Sequence, residues 1–167
     1  MIIRRYRPGE ESAIWTVYFR ATHESNAGDY HRDLLNRWAP PDQDMAEWAS
    51  RLRTKNPFVV VAGNQIVGMA ELDETGFIDY FYVHPDFQRQ GVGSALLSTL
   101  EAEAQAMHLP SLVADVSITA RDFFEARGFD VIEARSNVII GHPAPNFAMS
   151  KRLTGEPGQE AMCERDA

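Results

Sequence analysis

The chain has 167 residues, 44% of them hydrophobic and 24% charged, which suits one globular core and argues against wholesale disorder. Its net charge of −8 argues against a general nucleic-acid binder or a protein adsorbed to anionic membranes, and favours neutral or cationic ligands. The single cysteine, Cys163, excludes an intrachain disulfide, and the opening "MIIRRYRPGE" lacks the apolar stretch of a leader, so a cytoplasmic protein is expected.

In chain order, "IIRRY" (2–6) reads as a strand closed by the turn Arg7-Pro8-Gly9. Ala13, Ile14, Val17, Tyr18 and Ala21 recur at helical spacing from Glu10 to about His23. "HRDLLNRW" (31–38) is a short helix stopped at Ala39-Pro40-Pro41, and Asp42 or Asp44 caps a third helix bearing Met45, Trp48 and Leu52. "FVVVA" (58–62), Gly63-Asn64 and "QIVGMAEL" (65–72) predict a hairpin, and "FIDYFYV" (77–83) a further strand.

The spacing next predicts a helix over 91–107 that buries Val92, Leu96, Leu100, Ala104 and Met107 and turns Ser94, Ser98, Glu101 and Gln105 to water. A strand (111–117) and a helix (118–127) stopped by Gly128 follow. "FDVIEARSNVIIG" and "NFAMSKRL" then read as two strands joined through "HPAP". Residues 1–153 are therefore expected to form one α/β domain, a mixed sheet flanked by helices, with 154–167 a loose tail.

The segment Gln88-Arg89-Gln90-Gly91-Val92-Gly93 stands between a strand and a helix. A Walker A loop would need a lysine after the second glycine, where Ser94 stands. A dinucleotide fingerprint would need a small residue at Leu96. What remains is a helix N-terminus with unpaired N–H groups, and two glycines whose missing Cβ atoms would let a pyrophosphate approach.

With Val83-His84-Pro85 before it, this segment resembles the Gln/Arg-x-x-Gly-x-Gly/Ala signature of the GNAT superfamily of acetyl-CoA-dependent N-acetyltransferases. The element order from Phe58 to Leu153 agrees with that family. "DY…LNRWA" and "DVSITARDFFEARGF" look most like its small bacterial YafP-type members.

The resemblance implies a fold with splayed central strands, and acetyl-CoA as donor for an amine acceptor. Phe81, Tyr82 and Val83 would run beside the pantetheine arm, and the loop Gln88, Arg89, Gln90, Gly91, Val92, Gly93 and Ser94 would hold the pyrophosphate. A backbone N–H at Tyr82 or Val83 would polarise the thioester carbonyl. The family's asparagine and tyrosine positions carry Ser117 and Phe124 here. Phenylalanine has no proton to give, so the usual acid is missing and Tyr82, Tyr80 or water would replace it.

Asp79 is the one acidic residue in an otherwise aromatic and aliphatic strand, which makes it the expected base or amine-orienting carboxylate, the alternative being that it faces solvent or pairs with an arginine for structure. His84 is a second candidate by the intrinsic acidity of imidazole. The acceptor is expected among Asp29, Tyr30, His31 and Trp38 on one side and Asn137 and Asn146 on the other. No metal site is expected, a homodimer is left open, and the absence of a cysteine near the loop favours direct transfer over a covalent acetyl-enzyme. The competing reading is a non-catalytic acyl-CoA sensor on the same fold.

Overall fold

The computed structural model describes residues 1–153, so the expectation of a loose tail over 154–167 lies outside the described residues. A seven-stranded sheet has the order β1-β2-β3-β4-β5-β9-β6, with β1 Ile2–Arg5, β2 Phe58–Ala62, β3 Gln65–Leu72, β4 Phe77–Val83, β5 Ser111–Ser117, β6 Asp130–Arg135 and β9 Asn146–Arg152. Every pairing is antiparallel except β4 with β5, joined by the crossover helix α4, Val92–Ala106. The helices α1 (Glu11–Arg20), α2 (Arg32–Trp38), α3 (Met45–Lys55) and α5 (Ile118–Glu125) complete the expected order. No helix among the described residues is long and apolar enough to cross a membrane.

Two cores cover the two faces of the sheet. Leu96, Leu97, Leu100 and Ala104 of α4 pack with Val60, Val67, Ile78, Leu112 and Met149 on one face. On the other, Ile14, Val17 and Tyr18 of α1 and Trp48 and Leu52 of α3 close over Val59, Ile66 and Met69. α4 approaches β3 so closely that a Cβ on Gly68 would lie 3.0 Å from Val92 and 3.1 Å from Leu96. Met107, expected in the core, is instead exposed just past the end of α4, because the helix closes before its face comes round again.

Local chemistry explains most element ends. Asp44, not Asp42, caps α3, accepting from the N–H of Ala46 at 2.8 Å and of Glu47 at 3.2 Å. α1 does not stop at His23 but runs on as a wider π-helical turn over Ala21–Ser25. "HPAP" is more than a connector. His142–Pro143 forms β8, paired with β7 (Val138–Ile139) in a small hairpin outside the main sheet. Its turn residues Ile140 and Gly141 have φ of 46° and 81°, the left-handed pair that a tight two-residue hairpin turn requires.

The feature that positions a site is the parting of β4 from β5. They pair only at Phe77↔Val113 and Ile78↔Ala114. A bulge lies where they part: β3 pairs Ala70 with Phe81 but Leu72 with Ile78, so β4 carries one extra residue. The slip sends Asp79 and Tyr80 to the same face, where both meet Arg51 of α3, while Ile78 and Phe81 both join the α4 core. From Asp79 onward, β4 has no strand on its β5 side among the described residues.

Candidate active site

The gap between the parted strands opens into a cleft of about 1050 Å³. One wall is Asp79 to Val83 of β4, the other Asp115, Val116 and Ser117 of β5. Strand parity decides what β4 offers. His84 N–H donates to Val67 O at 2.9 Å, so Tyr82, two residues back and opposite Met69, also turns its N–H to β3. Phe81 and Val83 therefore point their N–H groups into the gap. The Val83 carbonyl accepts a long bond from Gln88 at 3.4 Å, and Gln88 also donates to Ser25 Oγ in the π-turn at 2.7 Å.

At one end of the cleft lies the start of α4. The first bond into this helix runs from Ala95 N–H to Gly91 O, and no side chain among the described residues caps it, so among them Val92, Gly93 and Ser94 present unpaired N–H groups. The two glycines serve different ends. Gly91 has φ of 86° and open space where a Cβ would be, whereas a Cβ on Gly93 would lie 3.2 Å from the Phe123 ring. A Cβ on Gly93 would thus crowd the α4–α5 contact as well as a ligand's approach.

Arg89, held at φ of 59°, and Arg127, which donates to Ser94 Oγ, bring positive charge to this end. Arg127 was missed in the sequence, where it reads as the last residue of a helix before Gly128. Of the loop positions proposed there, Gln88, Arg89, Gly91, Gly93 and Ser94 line the cleft. Gln90 does not, its amide being turned back to Asp86 O, and the Val92 side chain lies in the core.

At the other end, Asp79 lines the cleft with its Oδ2 2.9 Å from Arg51 and 3.9 Å from Lys55. Arg51 also reaches Glu71 at 2.6 Å, a pairing that sequence reasoning missed because Glu71 sits in an ordinary strand pattern. Glu71 is buried and does not line the cleft; burial pushes its carboxyl up to about 7 against the pull of Arg51. Its Oε1 and the Arg51 Nε are buried without a partner among the described residues. Tyr82 stacks edge-on against Tyr18 at 4.7 Å and Tyr80 at 5.6 Å. Burial foremost, then Tyr80 and Asp79, hold its phenol well above the usual range.

Ser117 and Phe124 both line the cleft. Ser117 caps α5, and Phe124, only 3% exposed, sits among Phe81, Phe123 and Phe129. The far wall carries Tyr30, Trp38, Asn137 and Asn146. The Tyr30 hydroxyl is committed to structure, donating to Pro145 O at 2.7 Å and accepting from Ile118 N–H at 2.8 Å. Three candidates stand elsewhere. His31 caps α2 outside the cleft lining, and His84 is buried beside Arg20, 3.0 Å from its Nε2. Asp29 likewise accepts from Thr119 Oγ1 and does not line the cleft.

A half-parted parallel strand pair, leading to an uncapped helix start, is the arrangement expected of an acyl-CoA transferase. The Acetyltransferase (GNAT) domain family matches residues 26–140. The chain belongs to the GNAT acetyltransferase family. Among its relatives, the uncharacterized N-acetyltransferase YafP of Escherichia coli (strain K12) is 31% identical over 148 residues, covering 88% of this chain and 93% of YafP. A GCN5-related N-acetyltransferase structure from Rhodopseudomonas palustris superposes with a TM-score of 0.84 at 30% identity, covering 91% of this chain and 95% of that one. The PaiA N-acetyltransferase of Thermoplasma acidophilum, solved with coenzyme A, shares the GNAT fold at a TM-score of 0.72 and 16% identity, covering 90% and 98%.

Proposed function

We propose that this GNAT protein is a cytoplasmic N-acetyltransferase, residues 1–153 acting as one domain, that moves an acetyl group from acetyl-CoA directly to a primary amine. The observation that carries the reading is a single cleft joining three things: a free strand edge, an uncapped helix start and a carboxylate. The donor end fits the group in question. Gly91 leaves open space beside the unpaired N–H groups of Val92, Gly93 and Ser94, and Arg89 and Arg127 supply countercharge for a pyrophosphate. Phe81 and Val83 can hydrogen-bond an extended amide-bearing arm as a missing strand would.

When bound, acetyl-CoA supplies an activated acyl group and a thiolate leaving group. The Val83 N–H, rather than that of Tyr82, is the fixed dipole available to a carbonyl oxygen in the gap. Asp79 has Arg51 and Lys55 on Oδ2, while Oδ1 takes no hydrogen bond among the described residues. That free oxygen can orient an incoming ammonium group and accept its proton, directly or through water. The Tyr82 phenol, kept protonated by burial, is the proposed proton donor to the leaving thiolate where Phe124 cannot serve. Tyr30, Trp38 and Asn146 wall the space left for the acceptor, for which the acidic net charge favours a cationic amine.

Thiol release from acetyl-CoA across a panel of primary amines, with mass-spectrometric detection of the acetylated product, tests the proposal. Release and product are expected with at least one amine. Acetyl-CoA binding without product for any amine would favour the sensor reading, to which the Phe124 substitution lends its weight.

A further inference from the structure

Beyond the cleft, one cluster joins elements far apart in sequence. His31 and Asp33 stand at the start of α2, and His142 lies 109 positions beyond Asp33 on β8. The two imidazoles are stacked with centroids 3.7 Å apart and planes 9° from parallel. One carboxylate oxygen, Asp33 Oδ2, lies 3.3 Å from His142 Nε2 and 3.6 Å from His31 Nδ1. One ligand atom from each of the three residues falls within 4.8 Å of the other two.

We propose that His31, Asp33 and His142 form a binding site for one divalent first-row transition ion of the Zn²⁺ type, clamping the β7–β8 hairpin to α2. The distances carry it. Ligand atoms about 2.1 Å from a tetrahedral ion stand about 3.4 Å apart, and two of the three edges already bracket that length. The third, between the two imidazoles, closes by rotation of His31, which is 52% exposed, about the less exposed His142, turning the stacked rings out of parallel so that both nitrogens face the ion. Two imidazoles and one carboxylate select Zn²⁺, Ni²⁺ or Cu²⁺ over Mg²⁺ or Ca²⁺, which prefer all-oxygen sets. Three protein ligands leave one position for water.

His31 Nδ1 now accepts the Asp33 N–H at 3.2 Å, a long bond that an ion would displace. The clamp would act on the acceptor wall, since Tyr30 precedes His31 and holds Pro145, while Ile139 of the hairpin packs with Leu34 and Leu35 of α2. The site does not depend on acetyl transfer. It escapes a sequence reading because only the fold brings the two histidines together.

Calorimetric titration of the full chain with ZnCl₂ and MgCl₂ tests it, followed by thermal melts with and without each ion. One Zn²⁺ per chain is expected, with a raised melting temperature and no response to Mg²⁺. His142→Ala and Asp33→Asn should each weaken Zn²⁺ at least tenfold and abolish the thermal gain, while exposed His108→Ala leaves both intact. Both test variants spare the His31 cap of α2, and melts without metal verify their folding. Absence of Zn²⁺ uptake by the unaltered chain, or affinity unchanged by His142→Ala, would overturn the site, the latter assigning the ion to other groups.

Discussion

Asp79 and Glu71 share one guanidinium, and their surroundings drive them to different work. Asp79 lines the cleft and has one carboxylate oxygen that takes no hydrogen bond among the described residues, whereas Glu71 is buried against Arg51 and does not line that cleft. Asp79→Asn is expected to lower turnover on an identified amine by roughly 10²-fold while acetyl-CoA affinity changes little. An unaltered rate would remove Asp79 from the chemistry. Glu71 governs stability instead. Its carboxyl is raised to about 7, above the ordinary 4.5 that it takes when unfolded. Between those values the folded state binds the extra proton, so Glu71's contribution is full below the unfolded value and fades as pH rises to about 7.

Glu10, Glu11, Glu24 and Asp86 are shifted the other way and act at lower pH. Glu71→Gln should flatten the fall in denaturation free energy across that window. An equally steep fall in the variant would show that another group titrates there. Asp79 was legible in the sequence because an acid in an aromatic strand is conspicuous. Arg51 and Glu71 were not, since their pairing depends on how α3 lies across the sheet.

At the level of elements, the start of α4 and its contact with α5 make one unit. Gly93 faces Phe123, and Arg127 links the end of α5 back to Ser94. Gly93→Val should therefore lower both the melting temperature and acetyl-CoA affinity, the latter at least tenfold. Arg127→Ala should weaken binding, and its dependence on salt, while leaving stability nearly intact, because its partner is close to the surface. Calorimetry at two salt concentrations separates these outcomes.

Phe124→Tyr probes the missing acid. With the ring only 3% exposed among three other phenylalanines, the added hydroxyl should cost about 1–3 kcal/mol without raising turnover. Denaturation and rate measurements on the same variant decide this, and a faster, equally stable enzyme would contradict it. The glycine loop itself was plain from its spacing. The π-turn and the β7–β8 hairpin were not, because Ala21–Ser25 carries an ordinary helical pattern and a two-residue strand is too short to have a period.

Across the whole molecule, the hydrophobic pattern prescribed the order of strands and helices and hence the parallel β4–β5 pair. The sequence could not show that β4 gains a residue against β3, because a bulge leaves no mark on a run where nearly every side chain is apolar or aromatic. Beyond the bulge β4 runs without β5 beside it, and the N–H groups of Phe81 and Val83 lie along the same cleft as the unpaired N–H groups of α4, so one elongated donor can engage both. Amide hydrogen exchange, residue by residue, with and without acetyl-CoA, tests this most directly. Tyr82 and His84, bonded to β3, should exchange slowly in both states, while Phe81, Val83, Val92, Gly93 and Ser94 should exchange quickly alone and slow markedly with acetyl-CoA. Protection that appears elsewhere, or that leaves Phe81 and Val83 unchanged at saturating acetyl-CoA, would contradict the account.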